Sequence, residues 1–396
     1  MPLSLTSCST TAELLGKAVR AAEYYGFEPL DDALRNGSGR TAALKIDPRE
    51  LSFVRREERN LVPLVYTCVS RGICSFARPS FFWRPGTTVA TGNTRSVSIE
   101  LHALGVQSAI AEAMLINVAQ AIASDAGIER RVVRINSMGS NESSARYVRE
   151  LSAYMRKNSE HIGEHVLARI PGDPLGALLS LVEKQNPIVA RAPQSMEFLN
   201  EEERHHLANV LEYLEAANTY YELNPFVLGS RDCWTHTLFE VHGVDEATEN
   251  SVPFARGGRY DRLASRSAQT NAAGVGMTLT FELKGATTPN FERIQRTGTP
   301  ASLYFAHLGT EAKRQSLRVL ESLRHANIPV RQSLAYDHLS DQMAEAAALA
   351  VPYIIIMGYK EATENTIMVR DVRTNAQAAI PVGELVGYLK RRHLIG

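Results

Sequence analysis

From residue 301 onward the chain changes hydrophobic period again and again, and few folds tolerate that. The segments ASLYFAHL, IPVRQSL and YIIIMGY are short, apolar and rich in β-branched or aromatic residues. Between them, TEAKRQSLRVLESLRHA and DHLSDQMAEAAALA repeat their apolar positions every three to four residues, as a helix with one buried face requires. TIMVRDV adds a strand and GELVGYLKRRHL a closing helix. Strand and helix units of this length, taken in turn, imply a small α/β domain with a mixed sheet covered by helices.

The pattern upstream is different. After an amphipathic helix over residues 11 to 26, the runs LVPLVYTCVS, SFFW and SVSIELHALGV, broken by Pro and Gly, read as antiparallel strands. Residues 108 to 128 read as a helix and RRVVRINSM as a strand, and strand patterns return at YYELNPFVL, WTHTLFEV and GVGMTLTFEL. Between them, residues 140 to 220 are charged and mostly helical, interrupted by PGDP and NP, and so look inserted into the β region. The reading is an α+β chain: an antiparallel sheet core over 1–285 carrying a helical insertion at about 140–220, a Pro/Thr/Gly-containing linker over 286–299, and an α/β domain over 300–396.

Charge narrows the partners. Forty-three basic residues balance 43 acidic ones, so the chain as a whole has no general attraction to nucleic acid or to anionic membranes, and any RNA contact must rest on a local patch. Cys8, Cys68, Cys74 and Cys233 form no CxxC pair and no zinc-ligand spacing, which makes a reducing cytoplasm the expected setting and leaves no metal site in view. No apolar run reaches the roughly 20 residues that span a bilayer, and MPLSLTSCSTTAELL lacks the basic start and apolar core of a signal peptide.

The densest concentration of chemistry is FARGGRYDRL at 254–263, with AAGVGMTLTFEL close behind it. By itself it reads as a small-residue turn feeding a buried strand, a common pocket wall. Its company gives it more meaning. ELHALGVQ (100–107), RINSMGSNESSARYVRELSAYM, APQSMEFLNEEERHHL, NPFVLGSRDCWTHTLFEV (224–241) and FARGGRYDRL occur in the order found in histidyl-tRNA synthetases, and the chain resembles that family over roughly residues 11 to 396. The resemblance implies a class II aminoacyl-tRNA synthetase-like core and an anticodon-binding-like domain over 300–396. It also implies a homodimer, tRNA as a partner through 300–396, and a histidine pocket formed by Gly257, Gly258, Arg259, Tyr260 and Asp232.

The same resemblance exposes losses. The family activates its amino acid by attack of a carboxylate on the ATP α-phosphate, and that charge build-up needs preorganised arginines and Mg²⁺. Aligned with the family's motifs, the three arginine positions fall on Phe81, Gly229 and Phe281, with Trp83 at a motif 2 glutamate and Thr280 beside Phe281. The family's Gln and Glu that read the substrate align with Ala103 and Gln107. These departures imply a paralogue that has lost amino-acid activation, has no catalytic residue and no cofactor, and acts as a tRNA-binding or regulatory module. Two alternatives stand beside it. One is a divergent active histidine–tRNA ligase using ATP and Mg²⁺, with Arg84, Arg95 or Arg231 replacing the lost arginines; the other is a histidine-sensing regulatory subunit of ATP phosphoribosyltransferase.

Other residues have plainer readings. His205 and His206 are adjacent on a helix and diverge, so they do not share a metal. Cys233 reads as a small buried hydrophobe rather than a nucleophile. Lys313, Arg314, Arg318, Arg324, Lys390, Arg391 and Arg392 are the cations placed to meet RNA phosphates, each with an ordinary helix-surface role as its alternative.

Overall fold

The computed structural model describes residues 11–31, 58, 61–71, 79–86, 89–91, 94–244, 250–284, 302–332, 334–336 and 338–391. The expected linker at 286–299, Cys8, Cys74 and Arg392 lie outside the described residues. The elements of the first part are α1 (Thr11–Tyr24), β1 (Glu28–Pro29), α2 (Leu61–Ser70), β2 (Ser80–Pro85), β3 (Val89–Thr91), β4 (Thr94–Leu104), α3 (Ile110–Asp125) and β5 (Arg131–Ser137). There follow α4 (Asn141–Lys157), α5 (Glu164–Leu167), α6 (Pro174–Glu183), α7 (Glu201–Ala216), β6 (Tyr221–Leu223), β7 (Thr235–Val244), β8 (Ser251–Arg259), α8 (Asp261–Ala268) and β9 (Gly274–Lys284).

One sheet organises this part, in the order β1-β2-β4-β9-β8-β7-β5-β6 with β3 on β4, antiparallel except for the β1/β2 and β5/β6 pairs. Its long strands alternate. Ile99, Leu101 and Ala103 of β4 with Val275, Leu279 and Phe281 of β9 enter the core, where they meet α1 and α3. Helix α3 is apolar on nearly every side, as a helix enclosed between a sheet and other helices must be.

Two expectations need correction. LVPLVYTCVS is helix α2 and not a strand, with Leu61, Val62, Leu64, Val65 and Cys68 buried at helical spacing. The segment is almost wholly apolar, so period alone cannot tell a strand from a buried helix, and Pro63 falls in the first turn, where a helix tolerates it. FARGGR is likewise no turn. It lies inside strand β8, between β7 and β9, and its glycines answer a packing demand: a Cβ on Gly257 would sit 2.4 Å from the Gly276 carbonyl oxygen.

The inserted helices build a core of their own from Tyr147, Leu151, Met155, Leu178 and Leu181, joined to Leu238 of β7. Their entry and exit share one carboxylate. Glu203 closes a capping box with Asn200 at the start of α7 and also accepts from the Ser140 amide (2.7 Å) and the Ser143 hydroxyl (2.7 Å) at the start of α4.

The last part comprises β10 (Leu303–His307), α9 (Thr310–His325), β11 (Val330–Gln332), α10 (Leu339–Ala348), β12 (Tyr353–Met357), α11 (Tyr359–Glu364), β13 (Thr366–Asp371), β14 (Gln377–Pro381) and α12 (Leu385–Arg391). Its sheet runs β11-β10-β12-β13-β14, parallel at β11-β10-β12 and antiparallel thereafter. Strand β14 had no counterpart in the sequence reading.

Helix α9 faces the first part of the chain, and this changes the meaning of its cations. Arg324 holds Asp125 of α3 through two hydrogen bonds (2.8 and 3.0 Å) and is also paired with Glu321. Arg314 pairs with Glu212 of α7, and Lys313 is buried. Of the four cations expected on this helix to meet RNA, only Arg318 is exposed. No described helix is long and apolar enough to cross a membrane.

Candidate functional site

The cavity that stands out, about 340 Å³, opens on the sheet face opposite α3. Because side chains alternate along a strand, Glu100 and His102 of β4 and Thr278 and Thr280 of β9 line it, while their neighbours Leu101, Ala103, Leu279 and Phe281 go to the core. Trp234, Leu228 and Leu61 supply an apolar wall, and Glu58 adds a carboxylate.

The floor depends on glycines. A Cβ at Gly274 would collide with the Tyr260 ring at 2.3 Å, and one at Gly276 with the His102 imidazole at 2.5 Å. Their absence lets the two rings meet, with the Tyr260 hydroxyl 3.2 Å from His102 Nδ1. His102 Nε2 is 3.7 Å from Glu100 Oε2, too far for a hydrogen bond, and makes none among the described residues. Burial holds this imidazole below its ordinary pKa, so it stands neutral.

The two arginines on this face of the sheet are already matched. Arg84 of β2 donates to Glu100 at 2.6 Å, and Arg256 of β8 lies 3.1 Å from Glu240. Burial pulls the Glu100 carboxyl up, but His102 and Arg84 outweigh it and hold it below the usual value; Glu240 is held down in the same way by His242 and Arg256. Glu58 accepts from Trp234 Nε1 (2.6 Å) and from the Ser230 amide (3.0 Å), which fixes the turn at 229–234 against the cavity. Among the described residues no group of three His, Cys, Asp or Glu is arranged to hold a metal ion.

The residues named from sequence divide. Gly257 lines the cavity, and Tyr260 lies beneath it, fully buried. Gly258 backs Trp234. Arg259 does not face the cavity: it is buried in the opposite direction, with Nε and Nη2 on the two oxygens of Glu112 (2.7 and 2.6 Å) and further bonds to the Val106 and Ser108 carbonyls. Glu112 of α3 draws it there; burial would raise that carboxyl, but Arg259 and then His206 keep it far below its ordinary value. Asp232 is half-exposed on the outer side of its turn, 4.0 Å from Arg262.

The three positions aligned with lost arginines also separate. Phe81 is turned towards α1, edge-on to Phe27 at 5.5 Å, and Phe281 is stacked on Phe254 at 6.1 Å in the core. A one-residue slip along a strand exchanges its faces, so on the cavity face the corresponding residues are Phe82, Arg84 and Thr280. Gly229 is different, since a Cβ there would lie 2.3 Å from the Trp234 ring, and no side chain fits while that indole is in place. The sequence reading passed over Glu58, Glu100, His102 and Trp234. Alternation within ELHALGVQ would have put Glu100 and His102 on one face, whereas nothing local announces Glu58.

Comparison with known proteins agrees with this architecture. The family described as Anticodon binding domain matches residues 303–392. A histidine–tRNA ligase of Bacillus subtilis (strain 168) is 26% identical over 290 residues, covering 73% of this chain and 68% of the relative. The histidine–tRNA ligase of Thermoanaerobacter pseudethanolicus is 27% identical over 293 residues, covering 72% and 68%. Apo histidyl-tRNA synthetase of S. aureus, a crystal structure, aligns over 91% of this chain and 93% of its own with a TM-score of 0.46 and 19% identity. Residues 303–392 match the anticodon binding domain family, and over about three quarters of its length the chain is similar to histidine–tRNA ligases.

Proposed function

We propose that this chain is a synthetase-like binding module that has lost amino-acid activation and retains a small-ligand pocket. The observation that carries the reading is the pairing of Arg256 on the cavity wall and of Arg84 on the same face of the sheet. A triphosphate needs cations whose charge is available, and Arg84 and Arg256 already neutralise Glu100 and Glu240. The position equivalent to the third arginine, Gly229, is closed by Trp234.

What remains suits a small amino acid or amine: an aromatic wall, the Glu58 carboxylate and the neutral imidazole of His102. Histidine is the ligand to test first. Calorimetric titration is expected to detect histidine and to detect no ATP, with or without Mg²⁺; tight ATP binding removes the reading. One observation favours the alternative of a divergent active ligase, namely that Arg84 lies on the cavity face, from which Phe81 is absent. Release of Arg84 from Glu100 on substrate entry would be its requirement.

Partners complete the proposal. The anticodon-binding domain supports tRNA as a partner, but α9 spends most of its cations on the first part of the chain, leaving Arg318, Lys390 and Arg391 exposed among those named. Binding is therefore expected to be weak with a shallow salt dependence, about one unit of log-log slope for each phosphate neutralised. A homodimer is the expected assembly, and light scattering that finds only a 43.6 kDa species at micromolar concentration rules it out.

A further inference from the structure

Strands β7 and β8 carry three polar side chains in a line. The Ser251 hydroxyl lies 3.0 Å from His242 Nδ1, and His242 Nε2 lies 2.8 Å from Glu240 Oε2. A carboxylate can only accept, so His242 carries a proton on Nε2 and donates it to Glu240. In the neutral ring Nδ1 is then a lone pair, and the hydrogen bond that it receives comes from the Ser251 hydroxyl.

The strands decide where this line lies. Residues two apart on a strand share a face, and Glu240 of β7 and Pro253 of β8 both line the cavity. His242 and Ser251 are two residues from them, in a register that sets His242 opposite Pro253 and Val244 opposite Ser251. The line therefore starts at the cavity wall and ends at its rim. His242 is 3% exposed and held at both ring nitrogens, while Ser251 is only half-buried. Arg256 lies 3.1 Å from the other oxygen of Glu240 and fixes that carboxylate in turn. Nucleophile, base and orienting carboxylate, each within hydrogen-bond reach of the next, are the parts that activate a serine.

We propose that Ser251 is a nucleophile activated by His242, with Glu240 as the positioning residue, and that it takes the acyl group of small activated carboxylic esters. The Ser251 oxygen bonds to the acyl carbon as its proton passes to His242 Nδ1. The bond from that carbon to the leaving oxygen breaks, and His242 gives the proton to the leaving group. Water then attacks the acyl-serine by the same route and releases the carboxylic acid and the free hydroxyl. A positioned base contributes about 10²–10⁴-fold, which suffices for an ester with a good leaving group and falls far short of what an amide needs. The reaction is independent of whether the cavity holds histidine.

The test incubates the full chain with p-nitrophenyl acetate, follows release of nitrophenolate, and locates the acetyl group by peptide mass spectrometry after acid quenching. The acetyl group is expected on Ser251 in the folded chain and not in urea. Ser251→Ala should lose it while staying folded, and Ser251→Cys should keep an acetylated side chain at that position. His242→Gln is expected to slow acylation by about a hundredfold and Glu240→Gln by about tenfold, each with the half-saturating ester concentration unchanged. That split marks a loss of chemistry and not of binding or of fold. No acetyl group on Ser251 in the folded chain, equal labelling in urea, or an equal rate in His242→Gln overturns the proposal.

Discussion

Arg259 and Tyr260 are neighbours in sequence, yet they serve opposite sides of the sheet. Tyr260 supports the cavity floor through His102, whereas Arg259 joins Glu112 in a buried pair that also receives His206 from the inserted helices at 2.7 Å. Removing one member leaves the other charged and dry, so Glu112→Gln is expected to cost about 3–5 kcal/mol in urea unfolding. A loss below about 1 kcal/mol would show that the pair is not the buried tie described. The glycine floor makes a second expectation. Gly276→Ala pushes on the His102 ring and should cost about 1–3 kcal/mol and abolish ligand binding, whereas Gly383→Ala, with nothing within 4 Å of the added carbon, should be near neutral. Equal effects of the two would refute the packing account. Two histidines set the acid side. Burial holds His102 and His236 below their ordinary pKa, so the folded chain binds fewer protons than the unfolded one as pH falls through about 6.5. Stability should be complete above that pH and decline below it. Melting curves from pH 7.5 to 5.5 should show the decline, and the variant His102→Asn, His236→Asn should flatten it; Asn suits His236, whose φ is +51°.

Among the elements, helix α9 teaches the clearest lesson. Its sequence advertises a basic surface, but Arg324 and Arg314 bind carboxylates of α3 and α7. Arg324→Ala is expected to cost about 1.5–3 kcal/mol through the lost bonds to Asp125 and to separate the unfolding of the two parts of the chain, while Arg318→Ala should stay within about 0.5 kcal/mol. A single unchanged transition for Arg324→Ala would contradict the docking role. No sequence period records which carboxylate a distant helix will offer, so this use of α9 could not be read in advance. The strands and helices of the last part could be read, because each repeats its own period over enough residues. LVPLVYTCVS could not, since a wholly apolar run fits both periods. The pocket was legible where it depends on local pattern, as with Gly257 and Tyr260 in one strand and the turn beyond it. It was not legible where sheet faces decide: Phe81 and Phe281 lie one residue from the positions that look into the cavity, and Glu58 reaches it from a separate part of the chain.

At the scale of the molecule, a balanced charge of 43 basic against 43 acidic residues is reproduced in miniature on the cavity face of the sheet, where Arg84 meets Glu100 and Arg256 meets Glu240. A scaffold that pairs its arginines internally can keep its shape and a small ligand, but it offers no unneutralised cation there to a reacting phosphate. In the alignment from which loss of activation is proposed, Phe81, Gly229 and Phe281 stand at the family's three arginine positions, and losing even one transition-state donor of this kind typically costs about 3 kcal/mol. The most direct measurement is histidine-dependent exchange of pyrophosphate into ATP by the purified protein with Mg²⁺. The account predicts a rate indistinguishable from the no-histidine blank. Exchange above that blank which disappears in Arg84→Ala would contradict it, because it would show that the Arg84–Glu100 pair opens and that the chain still activates its amino acid.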